Sequence, residues 1–253
     1  MNQKQVGASS SRVEGLGNGC QLPPRNTALL VKESRSLCSG GQEVDLLAGK
    51  ATVVLSRIVK VEAGVQQLLD MDADVLLVQA LQKHIQDKEQ AVGGFKEGNK
   101  HQGRVHPDGA GMGEERLDGQ VLEREWLDAA VRCVCALLSR CLERVEKSSS
   151  RSNLPKAAAE VLLKVMADPA AGDTVAGNAA LGLSYLANCS GLEDIFRGSQ
   201  AVHMLVEVMK KGKGDVASRN AAITLAKLAR DAAMLEQLRE LRGLEVMYQY
   251  IKP

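Results

Sequence analysis

Aromatic residues are nearly missing from this chain: its 253 residues include two Phe, three Tyr and one Trp. A wide globular core normally uses more rings, whereas the thin space between paired helices is filled by Leu, Val, Ile and Ala. Alternating runs of β-branched and aromatic residues are missing too, which excludes an all-β fold. There is no excess of one charge. The net charge is +1, so the composition offers no global attraction to nucleic acid or to acidic surfaces. Long hydrophobic runs are lacking as well. The most apolar stretch, Trp126 to Leu138, carries Asp128 and Arg132 and is too short to span a bilayer. The N-terminus, with Ser9 to Ser11 in a row, has no apolar segment of a secretory signal. The six cysteines (Cys20, Cys38, Cys133, Cys135, Cys141 and Cys189) therefore read as reduced thiols of a cytoplasmic protein without a membrane partner.

What the chain does have is repetition. Asn178-Ala179-Ala180 recurs as Asn220-Ala221-Ala222, forty-two positions on. Leu181, Leu183 and Leu186 follow the first copy; Ile223, Leu225 and Leu228 follow the second. The match runs on, with Ala201-Val202 against Gly243-Leu244 and Leu205-Val206 against Met247-Tyr248. Self-similarity at this period marks a helical repeat array. Lys50-Ala51 and Asp128-Ala129-Ala130 occupy the same position in two weaker copies. The interval from Lys50 to Asp128 is too long by one loop, so the period predicts an insertion between them.

Composition places the boundaries. Residues 1–25, rich in Ser and Gly with Pro23-Pro24, are expected to be disordered, and the solenoid to occupy 26–253. Residues 86–122 hold eight glycines and Pro107 and are expected to form a disordered insertion. Apolar spacing predicts helices over 44–61, 65–69, 75–85, 123–145, 154–166, 174–187, 192–196, 202–211, 216–229, 234–241 and 244–251, with a further short one at 27–37. Pro155 suits the first turn of its helix, where a missing N–H costs nothing. Gly191, Gly198 and Gly243 are expected to punctuate the later helices.

Candidate chemistry is sparse. Cys133, Cys135 and Cys141 lack tetrahedral metal spacing and have no nearby His, so core packing is expected and no metal. His84 and His203 are lone helix residues. Gly109-Ala110-Gly111-Met112-Gly113 follows no strand, so it is no phosphate loop. No acid, base and nucleophile assemble, which points away from an enzyme and from any cofactor or small-molecule substrate. Few aromatics are available to stack on bases, which argues against nucleic acid.

Three helices in about 42 residues, with Gly198-Ser199-Gln200-Ala201-Val202-His203-Met204-Leu205-Val206 entering the second helix and Asn-Ala-Ala-x-x-Leu in the third, resemble the armadillo repeat. The resemblance implies a right-handed α-solenoid of three-helix repeats that binds proteins along a groove lined by the third helices. Nuclear-import members hold a peptide there with a ladder of Asn. The matching positions in this chain are Arg57, Cys135, Tyr185 and Lys227, and the Trp position holds Val131, Leu181 and Ile223, so import-signal binding is not implied. Arg57, Tyr185, Arg219 and Lys227 are the candidate partner-binding groove; its cations either meet acidic side chains or are simply solvated. Asn178 and Asn220 are read as structural, their amides bonding neighbouring backbone and locking one repeat to the next.

The last stretch, Asn220 to Val246, is also similar to a family in which a tetratricopeptide domain precedes armadillo repeats. Its members act in cytoplasmic preassembly of axonemal dynein arms. That resemblance implies dynein-arm assembly factors or chaperones as partners. This chain shows no tetratricopeptide signature, so the alternative expectation is a structural C-terminal solenoid that supports a missing partner-binding domain.

Overall fold

The computed structural model describes residues 42–94, 113–145, 153–212 and 214–251. The expected disordered segment 1–25 and the short helix at 27–37 lie outside them. Among the described residues there are eleven helices and no strand. They are α1 Gln42–Ile58, α2 Glu62–Asp70, α3 Ala73–Gly94, α4 Gly113–Val145, α5 Leu154–Ala167, α6 Asp173–Leu186, α7 Glu193–Gly198, α8 Ala201–Lys211, α9 Val216–Leu228, α10 Ala232–Glu240 and α11 Gly243–Ile251.

Local chemistry sets several of these ends. Pro155 sits in the first turn of α5. The Asp215 carboxylate accepts from the Ser218 N–H at 2.7 Å and starts α9; Asp231 accepts from the Ala233 and Met234 N–H groups and starts α10. Each bond satisfies backbone donors that the first turn of a helix leaves open.

The helices lie in two rows. In one, α1 packs on α4, α4 on α6 and α6 on α9. In the other, α3 packs on α5, α5 on α8 and α8 on α11. The rows face each other through α3 with α4, α5 with α6, and α8 with α9. Leu81, Leu137, Leu162, Leu183, Leu205 and Leu225 fill the layer between them with almost no exposure. The first row consists of the helices that carry Lys50, Asp128, Asn178 and Asn220.

The joints repeat as well. Asp72, Gln200 and Arg242 are the non-glycine residues with left-handed backbone among the described residues, at φ of 54°, 56° and 53°. Each lies twenty-two positions after Lys50, Asn178 and Asn220 respectively, at the turn into α3, α8 or α11. A left-handed conformation costs an L-residue about 1–2 kcal/mol, so tertiary packing fixes these turns against local preference. Gly198 and Gly243, expected as breakers, have no positive φ. Gly243 answers to space instead: a Cβ there would stand 2.9 Å from Val206 Cγ2 and closer still to Leu238 Cδ1.

Helices occupy both ends of the segment 86–122, expected to be a disordered insertion. Helix α3 continues to Gly94 and α4 already begins at Gly113; residues 95–112 lie outside the described set. Ion pairs hold the added turn of α3. Lys88 Nζ lies 2.8 Å from Glu123 of α4 and 3.1 Å from Asp168 after α5, and Lys164 Nζ lies 2.9 Å from Glu89.

Candidate interaction surface

The first row is stitched by side chains that reach the neighbouring helix. From α9, Asn220 Nδ2 donates to the Gly177 carbonyl at 3.0 Å, Thr224 Oγ1 to the Ala180 carbonyl at 2.7 Å, and Lys227 Nζ to the Ser184 carbonyl at 2.6 Å. One face of α9 thus donates, turn by turn, to one face of α6. The approach is close because position 177 is glycine: a Cβ there would lie 2.4 Å from Ala217 Cβ and 2.6 Å from its Cα. Between α4 and α6 the chemistry differs. Asn178 Nδ2 donates to Asp128 Oδ1 at 2.8 Å, Asp128 also pairs with Arg132 at 2.7 Å, and Cys135 Sγ donates to the Asn178 carbonyl at 3.0 Å. Asn220 therefore holds backbone, whereas Asn178 holds a side chain.

The four candidate groove residues separate in space. Lys227 and Tyr185 come together, with the ammonium 5.9 Å from the ring centroid. That ammonium is already engaged. Ser184 lies in the last turn of α6, where carbonyls lack an intrahelical partner and carry the negative end of the helix dipole. Lys227 supplies the missing donor and the matching charge. Arg57 is exposed in the last turn of α1, and Arg219 is exposed early in α9; α1 and α9 are separated in the row by α4 and α6. Neither arginine pairs with a carboxylate among the described residues.

The cysteines of α4 are buried. Burial pushes the thiols of Cys133 and Cys135 up to about 12, so both stay protonated and unreactive at neutral pH. Among the described residues no group of three His, Cys, Asp or Glu stands close enough to hold a metal. No helix among them is long and apolar enough to cross a membrane. A cleft of about 530 Å³ opens between residues 121–128 of α4 and residues 171–175. Two of its polar side chains are engaged by residues beside it: Arg124 donates to the Ala170 carbonyl at 3.2 Å, and Asp128 is held by Asn178 and Arg132.

One cluster had no clear signal in the sequence. The His84 ring of α3 packs on Trp126 of α4, centroids 4.6 Å apart and planes inclined by 56°. His84 Nε2 is 3.3 Å from Glu123 Oε1 but without hydrogen-bond alignment, and the buried Trp126 N–H has no partner among the described residues. Burial lowers the pKa of His84 despite the attraction of Glu123. For Lys88, partial burial works downward but is outweighed by its bonds to Glu123 and Asp168, and its pKa rises. His84 and Lys88 are one turn apart on α3, but Glu123 is distant in sequence and the three belong to no motif, so only the packing of α3 on α4 reveals the cluster.

Against protein-family models, curated proteins and solved structures, the chain finds no match.

Proposed function

We propose that the chain is a non-enzymatic protein–protein interaction scaffold, an armadillo-like α-solenoid acting in cytoplasmic preassembly of axonemal dynein arms. The repeated geometry supports the solenoid reading most. The left-handed joints at Asp72, Gln200 and Arg242 keep step with Lys50, Asn178 and Asn220, and each helix of a row packs on its immediate neighbours in that row. Nearest-neighbour stacking of this kind is how repeat arrays present long surfaces to partners. The dynein-arm role rests on the resemblance of Asn220 to Val246 to tetratricopeptide repeat protein 12.

Capture of the tagged chain from the cytosol of ciliating cells tests both levels. Dynein-arm subunits or their chaperones should co-purify. Arg57→Glu should weaken their recovery while leaving helicity unchanged, because Arg57 is exposed and pairs with no carboxylate among the described residues. Recovery of no dynein-arm subunit and no chaperone refutes the assembly role.

A further inference from the structure

Among the described residues the first row ends at α9, whose outer face selects what can pack on it. The face of α6 that receives α9 carries Gly177, Ala180 and Ser184. One period on, the same face of α9 carries Arg219, Ala222 and Ala226, and no described helix covers it. Arg219 and Ala226 are exposed, whereas Gly177 and Ser184 are buried. Val216 and Ile223 border the stripe and are 61% and 48% exposed, and Arg230 ends it.

Two observations decide the occupant. Where α6 needs glycine to admit a helix at close range, α9 has an arginine, so another repeat cannot seat there in the same way. The stripe is also cationic. Arg219 and Arg230 pair with no carboxylate among the described residues, and the nearby Asp215 is already held by the N–H and hydroxyl of Ser218. The opposite end of the row, at α1, exposes Lys50, Val54 and Arg57. Copies stacked head to tail, or paired through α9, would set arginine against lysine or arginine.

We infer that the free face of α9 docks an amphipathic helix of a partner protein whose apolar stripe is flanked by Asp or Glu. Val216 and Ile223 take the apolar side chains, and Arg219 and Arg230 pair with the carboxylates. This surface differs from the one tested through Arg57 and does not depend on the dynein-arm role.

The probe is a labelled synthetic helical peptide with Leu at helical spacing flanked by Glu, compared with the same peptide carrying Lys for Glu, titrated into the full chain. The Glu peptide should bind and the Lys peptide should not. Arg219→Glu with Arg230→Glu should weaken binding at least about tenfold, and Ile223→Ser should weaken it severalfold, with helicity retained. Arg57→Glu should leave it unchanged, which separates this surface from the one at Arg57. Equal binding of the two peptides, or indifference to the arginine reversals, overturns the inference. So does binding of neither peptide, the result expected if residues 1–41 occupy the stripe. A dimer in sedimentation that Ile223→Glu dissociates overturns it as well.

Discussion

The contact of α9 on α6 and the contact of α6 on α4 join equivalent helices by different means. The first is close: Gly177 admits Ala217, and three donors from α9 end on backbone carbonyls. The second runs through side chains, Asn178 to Asp128 to Arg132, with a thiol at Asn178. The signature residues are forty-two positions apart in the first case and fifty in the second. The contrast teaches that helix order survives a change of spacing, while the bonds that hold it are rebuilt.

The sharpest way to break the comparison is to fill the gap. Gly177→Val should separate α6 from α9, because the added carbon meets the Ala217 backbone, which cannot rotate away. A loss of about 3 kcal/mol or more is expected, seen as a large drop in thermal midpoint. Arg219→Val, at the equivalent position one period later, should change stability by less than about 0.5 kcal/mol. Equal effects at the two positions would show that the α6–α9 approach is not what Gly177 serves.

The two asparagines give a smaller and more telling difference. Asn220→Leu removes a buried amide and its bond to the Gly177 carbonyl, which keeps its own acceptor bond within α6, at a cost of about 0.5–1.5 kcal/mol. Asn178→Leu should cost less, since Asp128 keeps Arg132 as a partner. Chemical denaturation of the two variants measures both; a larger loss at Asn178 would reverse the ranking of the two contacts.

Much of this was legible in the sequence, and the illegible part has a common cause. The Asn-Ala-Ala copies located four helices that do form one row, because small residues and leucines at helical spacing are a local signal. The end of α3 was not legible. Gln86 to Glu89 lose the apolar rhythm and precede Gly93-Gly94, which locally reads as a loop. Lys88 and Glu89 are held instead by Glu123, Asp168 and Lys164, partners that only the fold brings near. Lys227 shows the same limit. Its spacing from Asn220 placed it on the groove, but its ammonium is spent on the Ser184 carbonyl of α6.

Lys227→Met tests that use directly. The methionine keeps most of the stem packing and removes the donor, leaving the Ser184 carbonyl to water. A loss of about 1 kcal/mol is expected, at the low end for a charged donor because the site is half-exposed. Tyr185→Leu should cost less, since 5.9 Å is a distant cation–ring contact. If Lys227→Met leaves the unfolding midpoint unchanged, the lysine is available to a partner after all.

The smallest effect should appear on acidification, at the packing of α3 on α4, where no repeat signature operates. Burial lowers the pKa of His84 in the folded chain, so the unfolded chain takes up this proton first as pH falls. The contribution of His84 to stability is therefore complete above its unfolded value of about 6.5 and is lost progressively below it. Glu123, Asp168 and Asp87 oppose the shift, and Lys88 reinforces it, so the loss is gradual. Trp126, the single tryptophan of the chain, lies against the imidazole and reports its proton through quenched emission. Emission should fall with a midpoint below 6.5, and His84→Gln should abolish both that step and the matching part of the pH dependence of unfolding. A midpoint above 6.5 would mean that Glu123 outweighs burial, and the sign of the stability change would reverse with it.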